Sequence, residues 1–108
     1  MEEHWRELLH GNSRMLVLSL LTRSEMHPYG IHKTLVEETH SHAVPSLGNL
    51  YPLLTSLQEE GLVTSRTTTG RGEQLRKVYR ITPRGRRELR NLTATWRTFT
   101  THVNKMLG

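Results

Sequence analysis

Seven histidines are the residues of this 108-residue chain that could most directly bind a metal or take part in catalysis. Only His40 and His42 stand close together, without a third histidine beside them. Zinc sites favour closely spaced ligands, and the chain has no cysteine. No serine–histidine–aspartate set can be assembled from the spacing, and no glycine-rich phosphate loop follows a strand. We therefore predict no metal site and no cofactor, and we predict that the chain is not an enzyme.

Positive charge is concentrated in one part of the chain. Residues 1–62 contain four basic and eight acidic residues, a net charge of −4, whereas residues 63–90 contain nine basic and two acidic residues, a net charge of +7. Such a segment attracts polyanions, although most charge runs are only solvated helix faces. The excess spans a predicted hairpin as well as a helix start, which favours nucleic acid as the partner.

Residues 45–63 contain an amphipathic helix. Its apolar positions are spaced 3, 1, 3 and 3, which is one face of an α-helix, and they are Leu47, Leu50, Tyr51, Leu54 and Leu57. Ser46 is placed to cap its start and Gly61 to take a left-handed conformation after its end. The opposite face carries only small or hydrogen-bonding side chains, which suits insertion into a DNA groove. An ordinary surface helix is the alternative.

The other elements complete a known arrangement. An apolar helix is predicted over 15–22, a short helix from Pro28 to about residue 39, strands over 62–66 and 78–82, and a last helix from Pro83 capped by Thr82. The fold class is therefore mainly α with a small β-hairpin, a winged helix-turn-helix at 1–82 followed by a coiled-coil-like helix at 83–108. The longest apolar run, 15–21, is too short to cross a bilayer, and we expect a cytoplasmic protein without a membrane partner.

The last helix carries an unbroken apolar stripe spaced 3, 4, 3, 4 and 3, as in coiled coils. We predict that this stripe and Leu18, from the apolar first helix, form a homodimer interface. The alternative is that the stripe folds back on its own protomer. The stripe consists of Leu89, Leu92, Trp96, Phe99, Val103 and Met106.

Four segments, 8–21, 27–35, 45–63 and 76–89, together resemble the PadR family of bacterial transcriptional regulators, and the short tail resembles its compact subgroup. The resemblance implies a homodimeric winged helix that represses transcription, with its third helix in the major groove of operator DNA and its wing on the backbone or minor groove. Pro52 would interrupt a helix that starts at Ser46, so a later start is one way to accommodate it. The DNA contacts that follow from the match are Ser46, Asn49, Tyr51, Pro52, Thr55, Ser56, Arg71, Arg76 and Lys77.

The wing departs from the family pattern. Family members are heavily basic where this chain has Glu73, Gln74 and Leu75, which lowers the expected contribution of the wing to affinity. The face of the 45–63 helix that would meet DNA has no arginine or lysine and so cannot make the bidentate contact to guanine. We expect most affinity to come from the basic wing, and most sequence readout to come from the helix.

Trp96 matches a tryptophan that lines a flat apolar pore at the dimer interface of multidrug-responsive members of the compact subgroup. The resemblance implies that a small planar aromatic ligand stacks there, against Leu8, Met15 and Ser19 of the first helices, and releases the DNA. A plain core tryptophan is the alternative. Two other functions stay open, namely a small-molecule or metal sensor with little direct role on DNA, and a winged helix used only for protein contacts.

Overall fold

A computed structural model describes residues 2–70, 72 and 75–108 of the chain, apart from the side chain of residue 2. Helices and strands follow one another in the order expected of a winged helix, with one further helix at the amino end. They are α1 (Glu2–Gly11), α2 (Ser13–Leu21), α3 (Pro28–Thr39), α4 (Leu47–Glu59), β1 (Val63–Thr69), β2 (Leu75–Ile81) and α5 (Pro83–Leu107).

The core lies between α2, α3, α4 and the base of the hairpin. Val17 and Leu18 of α2, Ile31 of α3 and Leu50 of α4 have no exposed surface. Burying an aliphatic side chain of this size contributes about 1.5–3 kcal/mol to folding. Leu9 of α1 also contributes to the core. The remaining core side chains come from α2, α3, α4, the hairpin and their connections: Leu20, Leu21, Leu35, Ala43, Val44, Leu54, Leu57, Leu62, Val63, Tyr79 and Ile81.

Two helices begin as predicted. Thr82 caps α5, its hydroxyl accepting a hydrogen bond from the Gly85 amide at 3.0 Å, and prolines occupy the first positions of α3 and α5. At α3 the cap is His27, whose Nδ1 accepts a hydrogen bond from the Gly30 amide at 3.2 Å. Ser46 is the extended residue before α4, but its hydroxyl makes no capping hydrogen bond, so that part of the prediction is wrong.

The helix α4 starts immediately after Ser46 and contains Pro52 in its interior, which corrects the idea that it starts later. The missing amide of Pro52 leaves the Gly48 carbonyl without a helical donor. Both residues are exposed, so water can supply that hydrogen bond. The end of α4 is as predicted, because Gly61 has φ of 76° and hydrogen-bonds to Gln58, at 3.0 Å, in the pattern that closes helices with glycine.

The hairpin is longer than predicted. β1 and β2 pair antiparallel from Val63 opposite Ile81 to Thr69 opposite Leu75, so residues 67–69 belong to the strand and not to the loop. These residues are threonines, whose branched side chains favour strands. Met26 and Tyr79 exchange backbone hydrogen bonds of 3.0 and 2.8 Å, which fixes the hairpin beside the start of α3.

The helix α5 has 25 residues and is about 38 Å long. Leu89 and Leu92 pack against the core, whereas Phe99 and Met106 are 57% and 85% exposed. The start of this helix therefore belongs to the protomer core, and its end projects from it. Among the described residues, no helix is long and apolar enough to cross a membrane.

Candidate nucleic-acid interface

The front of α4 presents the side chains that the sequence predicted for DNA contact. Tyr51 is 52% exposed, although its spacing alone had placed it at the edge of the core. The buried face is formed by Leu50, Leu54 and Leu57, so the exposed face is fixed by packing behind it. The other predicted contacts of this segment are also exposed, namely Ser46, Asn49, Pro52, Thr55 and Ser56.

The wing places its basic residues beside this face. Arg76 and Lys77 are exposed on β2 and lie opposite Thr68 and Thr67 in the hairpin. Arg71, the third predicted contact of the wing, lies outside the described residues. A groove of about 550 Å³ separates the wing from the helices, and its walls are His27, Pro28, Tyr29, Tyr51, Leu75, Arg76 and Lys77. The structure thus brings Tyr51, Arg76 and Lys77 together around one groove.

Four residues of this groove, His27, Pro28, Tyr29 and Leu75, were not among the contacts predicted from the sequence. Neither His27 nor Tyr29 was given a role at the DNA surface by the sequence. His27 stacks on Tyr29 with 6.2 Å between ring centroids and 19° between planes, and Tyr29 is 61% exposed. Pro28 indicated a helix start here, but not which surface that start would face. Their position shows that the start of α3 forms one wall of the groove.

Within the described part of the basic segment 63–90, Arg66 alone forms an ion pair. Arg66 forms a two-pronged ion pair with Glu25, and its hydrogen bonds lower the pKa of the Glu25 carboxyl below its usual value. Within the described part of the chain, neither Arg76 nor Lys77 takes part in an ion pair. Arg76 and Lys77 are therefore available to an external anion near the outer end of β2, and so are the exposed arginines at 80, 84, 86, 87 and 90.

The histidines are spread over the fold. His32 contacts the Pro45 carbonyl through Nδ1 at 3.1 Å, and His40 ends α3 in a left-handed conformation with φ of 55°. His42 is exposed in the following loop. Among the residues that the structure describes, no three histidine or carboxylate side chains are grouped so as to hold a metal ion.

A second groove, of about 420 Å³, lies between α1, α2 and α5. It brings together three of the four residues predicted to contact an aromatic ligand, Leu8, Met15 and Trp96, while Ser19 does not line it. Trp96 is half-buried and lies 6.2 Å from Phe99, between ring centroids, at an angle of 42°. The side chains beside these residues are Glu7, Asn12, Arg14, Leu92 and Thr95.

The residues predicted for the dimer interface fall into two groups. Leu18 has no exposed surface and contributes only to the protomer core, which corrects its placement at an interface. Leu89 and Leu92 are also packed on the core, as the alternative of folding back required. Phe99 and Met106 are exposed, and Trp96 and Val103 are half-buried, so the second half of the stripe is uncovered in the protomer.

Comparison with known proteins identifies the family of this chain. The model of the transcriptional regulator PadR-like family matches residues 17–91, more than half of the chain. The chain belongs to this family. A PadR family transcriptional regulator from Eggerthella lenta DSM 2243 is 38% identical, with a TM-score of 0.81 over 94% of this chain and 86% of its own. Bacillus subtilis PadR in complex with operator DNA is 30% identical, with a TM-score of 0.69 over 74% of this chain and 46% of its own.

Among curated proteins, the negative transcriptional regulator PadR from Bacillus subtilis strain 168 is 33% identical over 73 residues, which are 68% of this chain and 40% of that protein. The chain spans less than half the length of the curated relatives that it matches. The PadR-like match confirms the predicted family. The structure and its similarity to solved PadR structures confirm the winged helix-turn-helix with a further carboxyl-terminal helix. The family is one of transcriptional regulators, which is the class of protein that the sequence predicted.

The extent of the PadR-like match separates the two grooves. Residues 17–91 include α3, α4, the hairpin and the start of α5, and therefore both walls of the groove at the front of α4. They stop before Trp96 and begin after Leu8 and Met15. The groove around Trp96 thus depends on the regions outside the matched segment.

Proposed function

We propose that this chain is a sequence-specific DNA-binding repressor that acts as a homodimer, with residues 1–82 on DNA and α5 joining the protomers. One observation carries the proposal: Tyr51, on the exposed front of α4, lines the same groove as Arg76 and Lys77 of β2. The family assignment supports it, as does the similarity to a PadR protein that was solved with operator DNA.

The two parts of this surface have different roles. Arg76 and Lys77 attract phosphates, which supplies affinity independently of sequence. The front of α4 enters the major groove, where the Asn49 amide can form paired hydrogen bonds with adenine. The hydroxyl groups of Thr55 and Ser56 can hydrogen-bond to donor or acceptor groups on the base edges. Because α4 carries no cation, it selects the site, and the wing holds the protein there.

The homodimer follows from the uncovered half of the α5 stripe. Trp96, Phe99 and Val103 continue the coiled-coil spacing beyond the point where the protomer covers it. Pairing of two copies places two α4 helices on one duplex. Helix-turn-helix dimers read half-sites about 34 Å apart, one turn of DNA. A symmetric site with this spacing is therefore the expected operator.

Fluorescence polarisation on DNA fragments selected from the genome tests the interface. Lys77→Ala is expected to weaken binding several-fold. It should also reduce the slope of the logarithm of the binding constant against the logarithm of the salt concentration by about one, because one phosphate contact is lost. Lys105→Ala is the matched control, since it removes the same charge from the exposed end of α5. Equal effects of the two substitutions would contradict the assignment of the wing. Asn49→Ala is expected to reduce discrimination between sequences by about 1–3 kcal/mol at one position of the site.

We propose further that a planar aromatic molecule binds the groove around Trp96 and releases the DNA. This proposal is supported by the apolar and aromatic side chains that the groove brings together, Leu8, Met15, Trp96 and Phe99. Ser19 is left out because it does not line the groove.

The two tryptophans of the chain, Trp5 and Trp96, allow a direct test with the planar cation N-methylquinolinium. In Trp5→Phe, the remaining emission of Trp96 is expected to be quenched with saturation. In Trp96→Phe, the quenching of Trp5 is expected to rise linearly, as for random collisions. Saturating quenching that persists without Trp96 would contradict the site.

A further inference from the structure

An ion pair joins the start of α2 to the end of α4. Arg14 donates two parallel hydrogen bonds to Glu60, from Nη1 to Oε2 at 2.7 Å and from Nη2 to Oε1 at 3.0 Å. Such a fork fixes direction as well as distance. The hydroxyl of Ser56, one of the proposed DNA contacts, donates to the same Glu60 Oε2 at 3.4 Å. The ion pair is therefore connected to the front of α4 through the side chain of Ser56.

The pair belongs to a small network of charges. Arg84 and Glu88, at the start of α5, act electrostatically on Glu60 and Arg14 respectively. The hydrogen bonds from Arg14 lower the pKa of the Glu60 carboxyl, which stays ionised at neutral pH. The buried face of α4 is held by its leucines, including Leu57 in its last turn, whereas the other side of that turn carries exposed polar residues. On that side, the network adds to the hydrogen bond that the Ser65 hydroxyl donates to Gln58 Oε1 at 3.0 Å.

Arg14 also forms part of the wall of the groove around Trp96, whereas Glu60 does not line that groove. One side chain thus contacts both the groove and the residue that ends α4. Among the described residues that line the groove around Trp96, Arg14 alone forms an ion pair, and its partner Glu60 directly follows α4.

We infer that Arg14 is a positioning residue for DNA binding, which holds the last turn of α4 through Glu60 at the angle that DNA requires. This inference rests on the proposed function. It also gives the groove around Trp96 a physical connection to α4, because a molecule seated there contacts the side chain that orients the helix.

The test compares Glu60→Ala with Glu38→Ala. Glu38 forms a second exposed, two-pronged ion pair, with Arg23, which joins the turn after α2 to α3 and does not touch α4. Each substitution removes one negative charge, so electrostatics alone would strengthen binding to DNA in both variants. If Arg14 orients α4, Glu60→Ala weakens binding about three- to tenfold, as expected for the loss of such a pair in both protomers, while Glu38→Ala does not.

A charge exchange gives the second readout. Arg14→Glu combined with Glu60→Arg keeps the net charge and is expected to restore the affinity to within about twofold, and Arg14→Glu alone is not. The salt dependence should stay at the wild-type value in Glu60→Ala, because Glu60 and Arg14 touch no phosphate. Both pairs are exposed, so both alanine variants are expected to remain folded, which circular dichroism checks.

The outcomes separate the two proposals. Wild-type binding that is independent of salt and of Lys77 would overturn the proposed function. The role of Arg14 alone would be overturned by another result. In it, binding depends on salt and weakens in Lys77→Ala, but Glu60→Ala and Glu38→Ala both bind DNA as tightly as the wild type or more tightly. Weak binding in Glu60→Ala that the charge exchange fails to rescue would overturn it as well.

Discussion

The start of α5 is packed against the hairpin, whereas its end lies free of the protomer. Gly85 is buried, and a Cβ atom built on it would lie 2.1 Å from the Leu62 carbonyl oxygen and 2.7 Å from Ile81 Cγ1. The Thr82 hydroxyl donates to the Gly61 carbonyl at 2.8 Å and fixes the same junction. Met106, near the other end of α5, has almost its full surface exposed to solvent.

This difference assigns separate tasks to two parts of one helix. Close packing at Gly85 attaches α5 to the winged helix, so substitutions there act on the stability of the protomer. The uncovered apolar side chains at the other end cost free energy unless something covers them, which is consistent with the homodimer proposed above. Substitutions at the two ends should therefore have different consequences, and three experiments test this.

The largest effect is expected from Gly85→Ala. The added methyl group meets the backbone of Leu62, which cannot move aside as a flexible side chain could. Overpacking of this kind costs about 1–3 kcal/mol of folding free energy. Gly11→Ala is the control, because nothing lies within 4 Å of its Cβ position and alanine favours helix. Urea denaturation at one protein concentration should show the first variant destabilised and the second unchanged or stabilised; equal stability of the two would contradict the close packing.

A smaller effect, on association only, is expected from Phe99→Lys. Phe99 is largely exposed in the protomer, so the charge leaves the fold intact. In the proposed dimer the charge would be buried, which weakens association by about 2 kcal/mol or more, roughly 30-fold. Sedimentation should then show the 12.5 kDa protomer at concentrations where the wild type is dimeric. Thr101→Lys, on the other side of α5, should leave the dimer unchanged; a dimer that survives Phe99→Lys would exclude this end of the helix as the interface.

The apolar stripe shows where prediction from sequence stops. Its spacing correctly indicated a helix with one apolar face, because periodicity depends on local geometry. It could not show that Leu89 and Leu92 are covered within the protomer while Phe99 is not, since that depends on where the core ends. Leu18 was placed at an interface for the same reason, although a helix that is apolar all round can be covered by its own protomer.

Other features of the site depended on local signals to different degrees. The cap at Thr82 and the turn at Gly61 were predicted correctly because backbone requirements act over a few residues. The strand at 67–69 was mistaken for a loop because its glycine-rich surroundings outweighed the threonines. The ion pair of Arg14 with Glu60 joins residues 46 positions apart, and no pattern in the sequence could reveal it.

The smallest expected effect concerns acid, and it again separates the two ends of α5. Beside the start of α5, hydrogen bonds from Arg14 lower the pKa of Glu60 in the folded protein. The rest of α5 has no carboxylic side chain after Glu88, so its free end has no such group to titrate. Because the pKa of Glu60 is lower in the folded than in the unfolded chain, its ionised form stabilises the fold above the ordinary pKa of about 4.3. This stabilisation is lost as the pH falls through the pKa of the folded state. In the Phe99→Lys protomer, the unfolding temperature should therefore fall below about pH 4.5, and fall less steeply once Glu60→Ala is added. Thermal unfolding by circular dichroism between pH 3 and 7 measures this, and identical pH profiles with and without Glu60 would show that the pair with Arg14 does not contribute to the stability of the protomer.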